Sequence, residues 1–299
     1  MAEVFLMING GLGNQLFQYA AALTLTGGNS NLIKLSLSNY LPRPNMSGAV
    51  RSPDILKFDQ RFRLLDEQEE ISVHRLVARP RLAKCVFRVA GHLGLGGRPK
   101  LIAEGRPYRD LSTCSLSRTV CLVGFWQDYR YAAKLRDGLP RERVLKSPIP
   151  PEVAALESAM RAGPAVAVHF RRGDYLEPEI KMVHGELGFD YYDRALGYVD
   201  ERLAFPRRFL FSDDPGWAMA VAKPRYGGEV VALPRGLGPE WEMYLMSRCQ
   251  AVVAANSTFS WWSAFLIRDD RAIRTLPLMW LGRPVNRHNR LDAPEFVAI

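Results

Sequence analysis

Short apolar runs that end in polar clusters recur along the chain and predict the strands of an α/β fold. The first run, EVFLMI at 3–8, is broken by NGGLG. The segment that follows, NQLFQYAAALTL, repeats Leu16, Tyr19, Ala20 and Leu23 at helical spacing. A strand, a glycine loop and a helix in this order form the first step of a parallel sheet.

The second half of the chain repeats this pattern three times. AVAVHF leads into RRGD, RRFLF into SDDPGW, and QAVVAA into NSTFSWW, and a helix-like stretch follows each polar cluster. Since open α/β sheets bind ligands beyond the carboxyl ends of their strands, we expect the three clusters to face one crevice. The proline-rich segment SPIPPEVAAL at 147–156 is typical of a hinge and predicts two domains, 1–150 and 151–299.

Arg171 and Arg172 place two positive charges directly after a strand that looks buried, which indicates an anionic ligand. A guanidinium group binds phosphate oxygens in a bidentate fork and stays charged. We expect His169 and Asp174 to hold ribose hydroxyls or to orient an arginine. The alternative is a structural ion pair between Asp174 and one of the arginines.

A phosphate cradle is our interpretation of NSTFSWW, because hydroxyl residues at a helix start cap it and leave N–H groups that attract anions. An ordinary helix cap is the alternative. The candidate residues are Asn256, Ser257, Thr258, Phe259 and Ser260.

A cluster of Ser212, Asp213 and Asp214 follows the strand RRFLF. A carboxylate accepts two parallel N–H bonds, which matches the amine edge of guanine. The two acids would also suit a metal ion, although hard metals need further oxygen ligands. Capping of the next helix is the third interpretation.

The first glycine loop, GGLGNQ, lacks the third glycine of a dinucleotide fingerprint, since Leu16 stands there. We expect Gly11 and Gly13 to permit a tight loop, and the amides of Asn14 and Gln15 to meet sugar hydroxyls. A nucleotide-binding oxidoreductase is the alternative function that this loop leaves open.

Most of the net charge of +9 comes from residues 71–118, where ten basic residues stand against two acidic ones. The rest of the chain is nearly neutral, so binding to nucleic acid is not implied. The amphipathic segment RLAKCVFRVAGHLGL at 81–95 predicts either peripheral contact with an anionic membrane or a surface helix packed on the core.

The start of the chain lacks the basic region of a secretory signal, and no apolar run reaches the roughly 20 residues of a membrane span. The four cysteines show no CxxC spacing. We therefore expect a cytoplasmic protein without a zinc site, either free or peripheral at the inner membrane face.

Five segments in order, GGLGNQLFQYA, GFWQDYRY, VHFRRGDY, FLFSDDPGW and LMSRCQAVVAANSTFSWWSAFL, resemble the inverting α-1,2-fucosyltransferases of bacteria and eukaryotes. The resemblance implies an α/β fold of the GT-B class, in which two Rossmann-like domains with parallel sheets face a cleft. It implies that the second domain holds the GDP end of GDP-fucose, that Arg172 or Arg171 contacts the pyrophosphate, and that no metal or other cofactor is needed.

The implied activity is transfer of L-fucose to a galactoside hydroxyl, with inversion, in glycan or O-antigen synthesis. The implied acceptor is a galactose-containing glycan, free or carried on lipid. The candidate bases follow the arginines, and Glu179 has a spacing similar to that of the base in α-1,6 relatives; the others are Asp174, Glu177 and Glu186. A fucosyltransferase of the α-1,6 or protein O-linked type is the nearest alternative.

Overall fold

The computed structural model describes residues 2–41, 52–58, 62–77, 99–105, 108–139, 145–173, 187–280, 283–284 and 291–299. The chain divides into two compact units. The first comprises Met1–Leu56, Gln60–Trp126 and Tyr131–Gly138, and the second Lys57–Asp59, Gln127–Arg130 and Leu139–Ile299. The roles predicted for domains 1–150 and 151–299, acceptor side and donor side, stay predictions.

The first unit is built on a parallel sheet of five strands in the order β3-β2-β1-β5-β4. The strands are β1 (Val4–Met7), β2 (Ile33–Ser36), β3 (Arg63–Leu64), β4 (Lys100–Ala103) and β5 (Val120–Val123). The helices are α1 (Leu12–Leu25), α2 (Glu67–Val77) and α3 (Tyr129–Gly138), with short 3₁₀ turns at Ser30–Leu32, Ser38–Tyr40, Asp54–Lys57 and Leu111–Thr113. The strand, loop and helix predicted at the start of the chain are confirmed.

The second unit contains a parallel sheet of six strands in the order β13-β10-β9-β6-β7-β8 and an antiparallel ribbon, β11-β12. The strands are β6 (Ala165–Phe170), β7 (Arg207–Ser212), β8 (Glu229–Val230), β9 (Ala251–Val253), β10 (Ile273–Leu276), β11 (Met279–Trp280), β12 (Arg283–Pro284) and β13 (Phe296–Ala298). The helices are α4 (Pro151–Arg161), α5 (Phe189–Leu203), α6 (Pro215–Trp217), a π-helical stretch (Ala218–Ala222), α7 (Lys223–Tyr226), α8 (Pro239–Met246) and α9 (Thr258–Phe265).

The central strand β6 is covered on both faces, and all six of its residues are buried. Parallel strands of this kind read as continuous apolar runs, which is why AVAVHF could be recognised. Val168 and Phe170 pack in a cluster with Tyr192 of α5. Since successive side chains alternate, His169 points to the other face, where its ring lies 5.7 Å from that of Phe259 in α9.

Helix α9 is held at its C-terminal end by a buried cation. Arg274 of β10 is 2% exposed, and its guanidinium donates to the backbone carbonyls of Ala264, Ile267, Asp269 and Ala272. A cation at a helix C-terminus satisfies the carbonyls that have no partner within the helix. This contact fixes the position of α9, whose other end lies at the sheet edge.

Each sheet reverses its strand order once, at β1 and β5 in the first unit and at β6 and β9 in the second. Open α/β sheets bind ligands at such switch points, beyond the carboxyl ends of the strands. The loops that follow these four strands are therefore the places where the fold offers a site. Across the described residues, no helix has both the length and the apolar character that crossing a bilayer requires.

Candidate active site

Three strand ends meet at the switch point of the second sheet, as the apolar runs predicted. Strand β6 lies between β7 and β9, with Phe170 beside Ser212 and Val168 beside Val253. The loops RRG, SDD and NST therefore leave the sheet side by side at its carboxyl edge.

Asp213 holds the arginine loop in place. Its Oδ2 lies 2.8 Å from Arg171 Nη1, and its Oδ1 accepts a 2.8 Å hydrogen bond from the backbone N–H of Arg172. Gly173 allows this approach, because a Cβ at that position would lie 2.6 Å from Asp213 Oδ2. Asp213 thus binds the side chain of Arg171 and the backbone of Arg172. The sequence did not predict this pairing.

The two arginines act electrostatically on different neighbours at the sheet edge. The guanidinium carbon of Arg172 lies 4.3 Å from the ring centroid of Trp217, and its charge acts on Tyr192 on the α5 side. The charge of Arg171 acts instead on His169, whose ring faces α9. Arg171 is therefore the arginine whose charge reaches His169, the residue beside the helix start predicted to bind phosphate.

His169 is a buried, neutral imidazole. Burial, with a smaller contribution from the charge of Arg171, lowers the pKa of His169 to about 3. The Tyr192 hydroxyl donates to the His169 carbonyl at 3.2 Å, while Nδ1 of the ring has no hydrogen-bond partner among the described residues. His169 can thus offer a ligand a neutral donor or acceptor, but not a positive charge.

At the start of α9, some residues of the predicted phosphate cradle are buried and others reach the surface. Ser257 caps the helix, since its Oγ accepts the N–H of Phe259 at 3.3 Å. Ser260 is fully buried and its hydroxyl donates to backbone carbonyls within the loop, and Asn256 is buried as well. Thr258 and Phe259 are half-buried. These last two positions are the part of the predicted cradle that reaches the surface.

The other two residues of the SDD cluster shape the turn after β7. Asp214 caps α6, because its Oδ1 accepts the N–H of Trp217 at 3.0 Å. Ser212 is buried, and its Oγ accepts the N–H of Asp214 at 3.1 Å. Of the three interpretations of this cluster, the structure shows helix capping for Asp214.

Glu242 of α8 belongs to this neighbourhood, and the sequence motifs did not single it out. Burial, with smaller contributions from the negative charges of Asp213 and then Glu240, raises the pKa of the Glu242 carboxyl to about 7. An acidic residue inside the apolar stretch WEMYLM was the sequence signal that could have found it.

Gln15 has a structural role in the first unit. Its side chain is fully buried, its Nε2 donates to the carbonyls of Gly10 and Ser52, and its Oε1 accepts the N–H of Ile55. The amide predicted to meet sugar hydroxyls is thus engaged within the fold, where it joins the glycine loop to the segment at 52–58.

The tight turn of the glycine loop lies one residue earlier than expected. Gly10 has a φ of +77°, whereas Gly11 is the extended N-cap of α1 and Gly13 lies within that helix. The assignment of the turn to Gly11 and Gly13 was therefore wrong, because only Gly10 adopts the left-handed region. Asn14 is half-buried in the first turn of α1.

The loop after β5 lies at the switch point of the first sheet and carries backbone strain. Trp126 is buried with a φ of 56°, which costs energy for a residue with a large side chain, and Gly124 has a φ of 146°. The N–H of Phe125 donates to Glu104 Oε2 at 2.7 Å, and the Phe125 ring is exposed. The motif GFWQDYRY includes this loop, but none of its residues is among the predicted site residues.

Some predicted residues lie outside the described part of the chain. These are the candidate bases Asp174 and Glu179, their alternatives Glu177 and Glu186, and the amphipathic segment at 81–95. Within the described residues, no three side chains of His, Cys, Asp or Glu are grouped so that they could hold a metal ion.

A cavity of about 370 Å³ opens where β6 ends. Arg171 and Arg172 contribute its charged part. The rest of the lining is mostly aromatic or aliphatic and includes Leu187, Phe189, Tyr192, Trp217 and Val221.

Comparison with known proteins identifies relatives of the whole chain. The sequence profile described as glycosyl transferase family 11 matches residues 105–282, a range that includes all three strand-end loops of the second unit. An α-1,2-colitosyltransferase of Escherichia coli is 30% identical over 290 residues, which cover 95% of this chain and 94% of that protein. A galactoside α-(1,2)-fucosyltransferase 1 of Rattus norvegicus is 28% identical over 158 residues, covering 50% of this chain and 42% of that protein.

The fold is also shared with a solved structure. The crystal structure of the fucosyltransferase NodZ from Bradyrhizobium matches with a TM-score of 0.51 and 14% sequence identity, over 89% of this chain and 92% of that chain. At this identity the likeness shows the fold alone. Together with the two parallel sheets, it confirms the predicted α/β fold of the GT-B class.

Proposed function

The chain belongs to glycosyl transferase family 11, and on this premise we propose that it transfers L-fucose from GDP-fucose to a galactoside hydroxyl, forming an α-1,2 linkage with inversion. The observation that carries the proposal is the Arg171 guanidinium, held 2.8 Å from Asp213 at the switch point between β6 and β9. A positive group oriented at the ligand position of an α/β sheet suits the diphosphate of an activated sugar.

Charge stabilisation is the task that this site would perform. Breaking the bond between the sugar and GDP leaves additional negative charge on the diphosphate. Arg171 and the positive end of α9 would stabilise that charge as it develops, without reorganising, because Asp213 already orients the arginine. We propose that these fixed groups are sufficient and that the reaction needs no metal ion.

Inversion requires the acceptor hydroxyl to attack from the face opposite the departing GDP, with a base to take its proton. We assign this base to Glu179 or Asp174, the acids that follow the arginine motif in the sequence. The support for this assignment is their position in the motif.

Glu242 is the acidic group that we assign to the amine edge of guanine. Asp213 pairs with Arg171 and with the backbone of Arg172, and Asp214 caps α6, so both carboxylates already have partners within the fold. Glu242 lies close enough to Asp213 for that charge to raise its pKa. Two parallel N–H donors from guanine would stabilise its ionised form.

A second sugar is a candidate for the donor beside L-fucose. The relative from Escherichia coli, at 30% identity over 95% of this chain, is named an α-1,2-colitosyltransferase, and the rat relative a galactoside fucosyltransferase. Colitose is L-fucose without the hydroxyl at C3, so both sugars are 6-deoxyhexoses. GDP-colitose is therefore the second candidate donor.

For the acceptor we propose a galactose-containing glycan, free or carried on lipid. The linkage of the two relatives named above supports a 2-hydroxyl as the site of transfer. If the acceptor is carried on lipid, the basic segment at 71–118 is the part of the chain that we expect to contact the membrane surface.

The test is transfer from labelled GDP-fucose and GDP-colitose to a panel of galactose-terminated glycans, with and without EDTA. We expect an α-1,2 product by NMR, formed equally well in EDTA, and abolished by Arg171→Ala. Arg271→Ala is the matched control, because Arg271 is an exposed arginine paired with Asp269. Transfer from GDP-colitose alone would establish the rival donor, another linkage would contradict the α-1,2 assignment, and a strict need for Mn²⁺ would contradict the metal-free mechanism.

A further inference from the structure

We propose that the loop after β5 recognises the galactose ring of the acceptor, with Phe125 stacked on the sugar and the carboxylate of Glu104 bound to its hydroxyls. The inference deepens the proposed function and rests on its assignment of a galactoside as acceptor. It does not depend on the donor sugar.

The loop lies at the switch point of the first sheet. Strand β5 pairs with β1 on one side and with β4 on the other, so that Leu122 lies between Leu6 and Ile102. Ligands of open α/β sheets bind beyond the carboxyl ends of such strands. In the loop after β1, the Gln15 amide predicted to meet sugar hydroxyls is bonded within the fold. The loop after β5 leaves the same switch point and presents exposed groups.

The backbone of this loop is held in a costly conformation. Trp126 is buried at a φ of 56°, and its Nε1 has no hydrogen-bond partner among the described residues. A positive φ at a bulky residue and a buried donor without an acceptor both destabilise a fold. Strain of this kind concentrates at functional sites, where it holds groups in the orientation that a ligand requires. The group next to Trp126 in the chain is Phe125.

The ring of Phe125 is 43% exposed, although the strand before it and Trp126 after it are buried. Packing therefore does not explain a large aromatic side chain at this position. Aromatic rings stack on the C–H face of a pyranose and remove that apolar surface from water. An exposed ring fixed at the end of a buried strand suits this contact.

Glu104 lies directly beside this ring. Its Oε2 accepts the backbone N–H of Phe125 at 2.7 Å, and its side chain is exposed. A carboxylate has about four sites for accepted hydrogen bonds, so it can bind sugar hydroxyls as well. Gly124 permits the arrangement, because it has a φ of 146° and a Cβ there would lie 2.9 Å from Glu104 Oε2 and 3.0 Å from Trp126 Nε1.

A ring beside a carboxylate predicts selection at C4 of the acceptor sugar. Galactose and glucose differ only in the configuration of this carbon. The axial 4-hydroxyl of galactose leaves the C–H groups of C3, C4 and C5 as one apolar patch, and it stands close to the 3-hydroxyl, so one carboxylate can accept from both. In glucose the equatorial 4-hydroxyl interrupts this patch. Contacts at these positions leave the 2-hydroxyl uncovered for transfer.

The experiment compares methyl β-D-galactoside with methyl β-D-glucoside as acceptors for the wild type, Phe125→Ala, Phe125→Tyr and Glu104→Gln. Binding of the same two glycosides in the presence of GDP, measured by saturation-transfer NMR, gives a readout that needs no transfer. Phe205→Ala is the matched control, because Phe205 is an exposed phenylalanine of the second unit outside the strand-end loops. Calorimetry with GDP and urea denaturation test the donor site and the fold of each variant.

We expect the wild type and Phe205→Ala to prefer the galactoside. Phe125→Ala should raise the acceptor KM about 10-fold and lose most of this preference, because the missing ring no longer covers the apolar patch. Its donor KM, its kcat at saturating acceptor and its GDP affinity should stay unchanged, and Phe125→Tyr should retain the preference. Glu104→Gln should raise the acceptor KM without lowering kcat. Phe125→Leu, which also lacks the ring, replaces the alanine variant if that variant unfolds.

An unchanged acceptor KM in Phe125→Ala, or a higher donor KM in its place, would overturn the inference and leave the proposed function standing. A loss of kcat in Glu104→Gln with an unchanged acceptor KM would assign this carboxylate to the chemical step and overturn its role in binding the sugar. Galactoside binding that depends on Phe125, without transfer from either candidate donor, would contradict the proposed function and leave the sugar site intact.

Discussion

Arg171 and Asp213 form an ion pair at 2.8 Å across the ends of two neighbouring strands, β6 and β7. The second carboxylate oxygen of Asp213 accepts the backbone N–H of the residue after Arg171, so one acid orients both the side chain and the loop that carries it. A cation oriented in this way before the ligand binds does not have to reorganise when charge develops.

The first prediction concerns the shape of the Arg171 cation. Arg171→Lys keeps the charge but loses the bidentate fork and its fixed orientation, so we expect kcat to fall about 10²–10³-fold with little change in the free energy of unfolding. Steady-state kinetics with the donor, together with urea denaturation, measure the two effects. Arg271→Lys, at an exposed ion pair with Asp269, should leave both unchanged. A near-normal kcat for Arg171→Lys would exclude a bidentate phosphate role for this residue.

The second prediction concerns pH and Glu242. Burial is the main cause that raises the pKa of this carboxyl from 4.5 to about 7. Ionising it in the folded protein therefore lowers the free energy of unfolding as the pH rises between these values. By linkage, this costs the wild type about 3 kcal/mol of stability above pH 7 and nothing below pH 4.5. Glu242→Gln removes the ionisation, so we expect it to be more stable than the wild type at pH 8.

Urea denaturation at pH 8 and pH 5 tests this. The difference in free energy of unfolding between Glu242→Gln and the wild type should shrink as the pH falls towards 4.5. At that pH the carboxyl of the folded wild type is protonated, so its ionisation no longer destabilises the fold. Glu229→Gln, at an exposed position of β8, is the matched control and should show no such trend. A glutamine variant whose advantage is the same at both pH values would contradict the shifted pKa.

The third prediction concerns the buried cation behind α9. Arg274→Met leaves the carbonyls at the end of α9 and in the following turn without their donor, and each buried, unsatisfied acceptor costs about 1–3 kcal/mol. We expect the free energy of unfolding to fall by about 3 kcal/mol or more, measured by urea denaturation. Arg271→Met, at an exposed neighbour, should leave the free energy of unfolding nearly unchanged. A loss below about 1 kcal/mol at Arg274 would mean that water or other donors replace the guanidinium.

The strand ends of the second unit could be predicted from sequence because an apolar run and the polar cluster after it are local features. The pairing of Arg171 with Asp213 could not, because the sequence interpretation assigned each cluster to a ligand and weighed only ion pairs within the RRGD segment. The pKa of Glu242 likewise depends on burial and on the charge of Asp213, which a different strand brings near. Long-range contacts of this kind arise from the strand order.

The conformation of the glycine loop could not be predicted from the sequence either, although it depends only on neighbouring residues. Three glycines stand within NGGLG, and composition alone does not say which one takes a positive φ. The backbone assigns it to Gly10, where a Cβ would lie 2.7 Å from Asn14 Nδ2. The pattern thus predicted a loop but not its conformation.

The last prediction isolates the role of Gly173. Its φ is not in the left-handed region, so alanine causes no backbone strain there, but the added Cβ would lie 2.6 Å from Asp213 Oδ2. The carboxylate must move away, and Arg171 then loses its fixed orientation. We expect Gly173→Ala to lower kcat at least 10-fold, since misplacement by about 1 Å is costly in an oriented site. Gly163→Ala, where a Cβ meets nothing within 4 Å, is the matched control and should keep wild-type kcat.

A double-mutant cycle separates this mechanism from a general disturbance of the loop. In an Asp213→Ala background the carboxylate that the new Cβ would meet is absent, so adding Gly173→Ala should cost little more than Asp213→Ala alone. Full additivity of the two losses in kcat would show that Gly173 acts independently of Asp213, and the carboxylate would then not be the link between this glycine and the arginine.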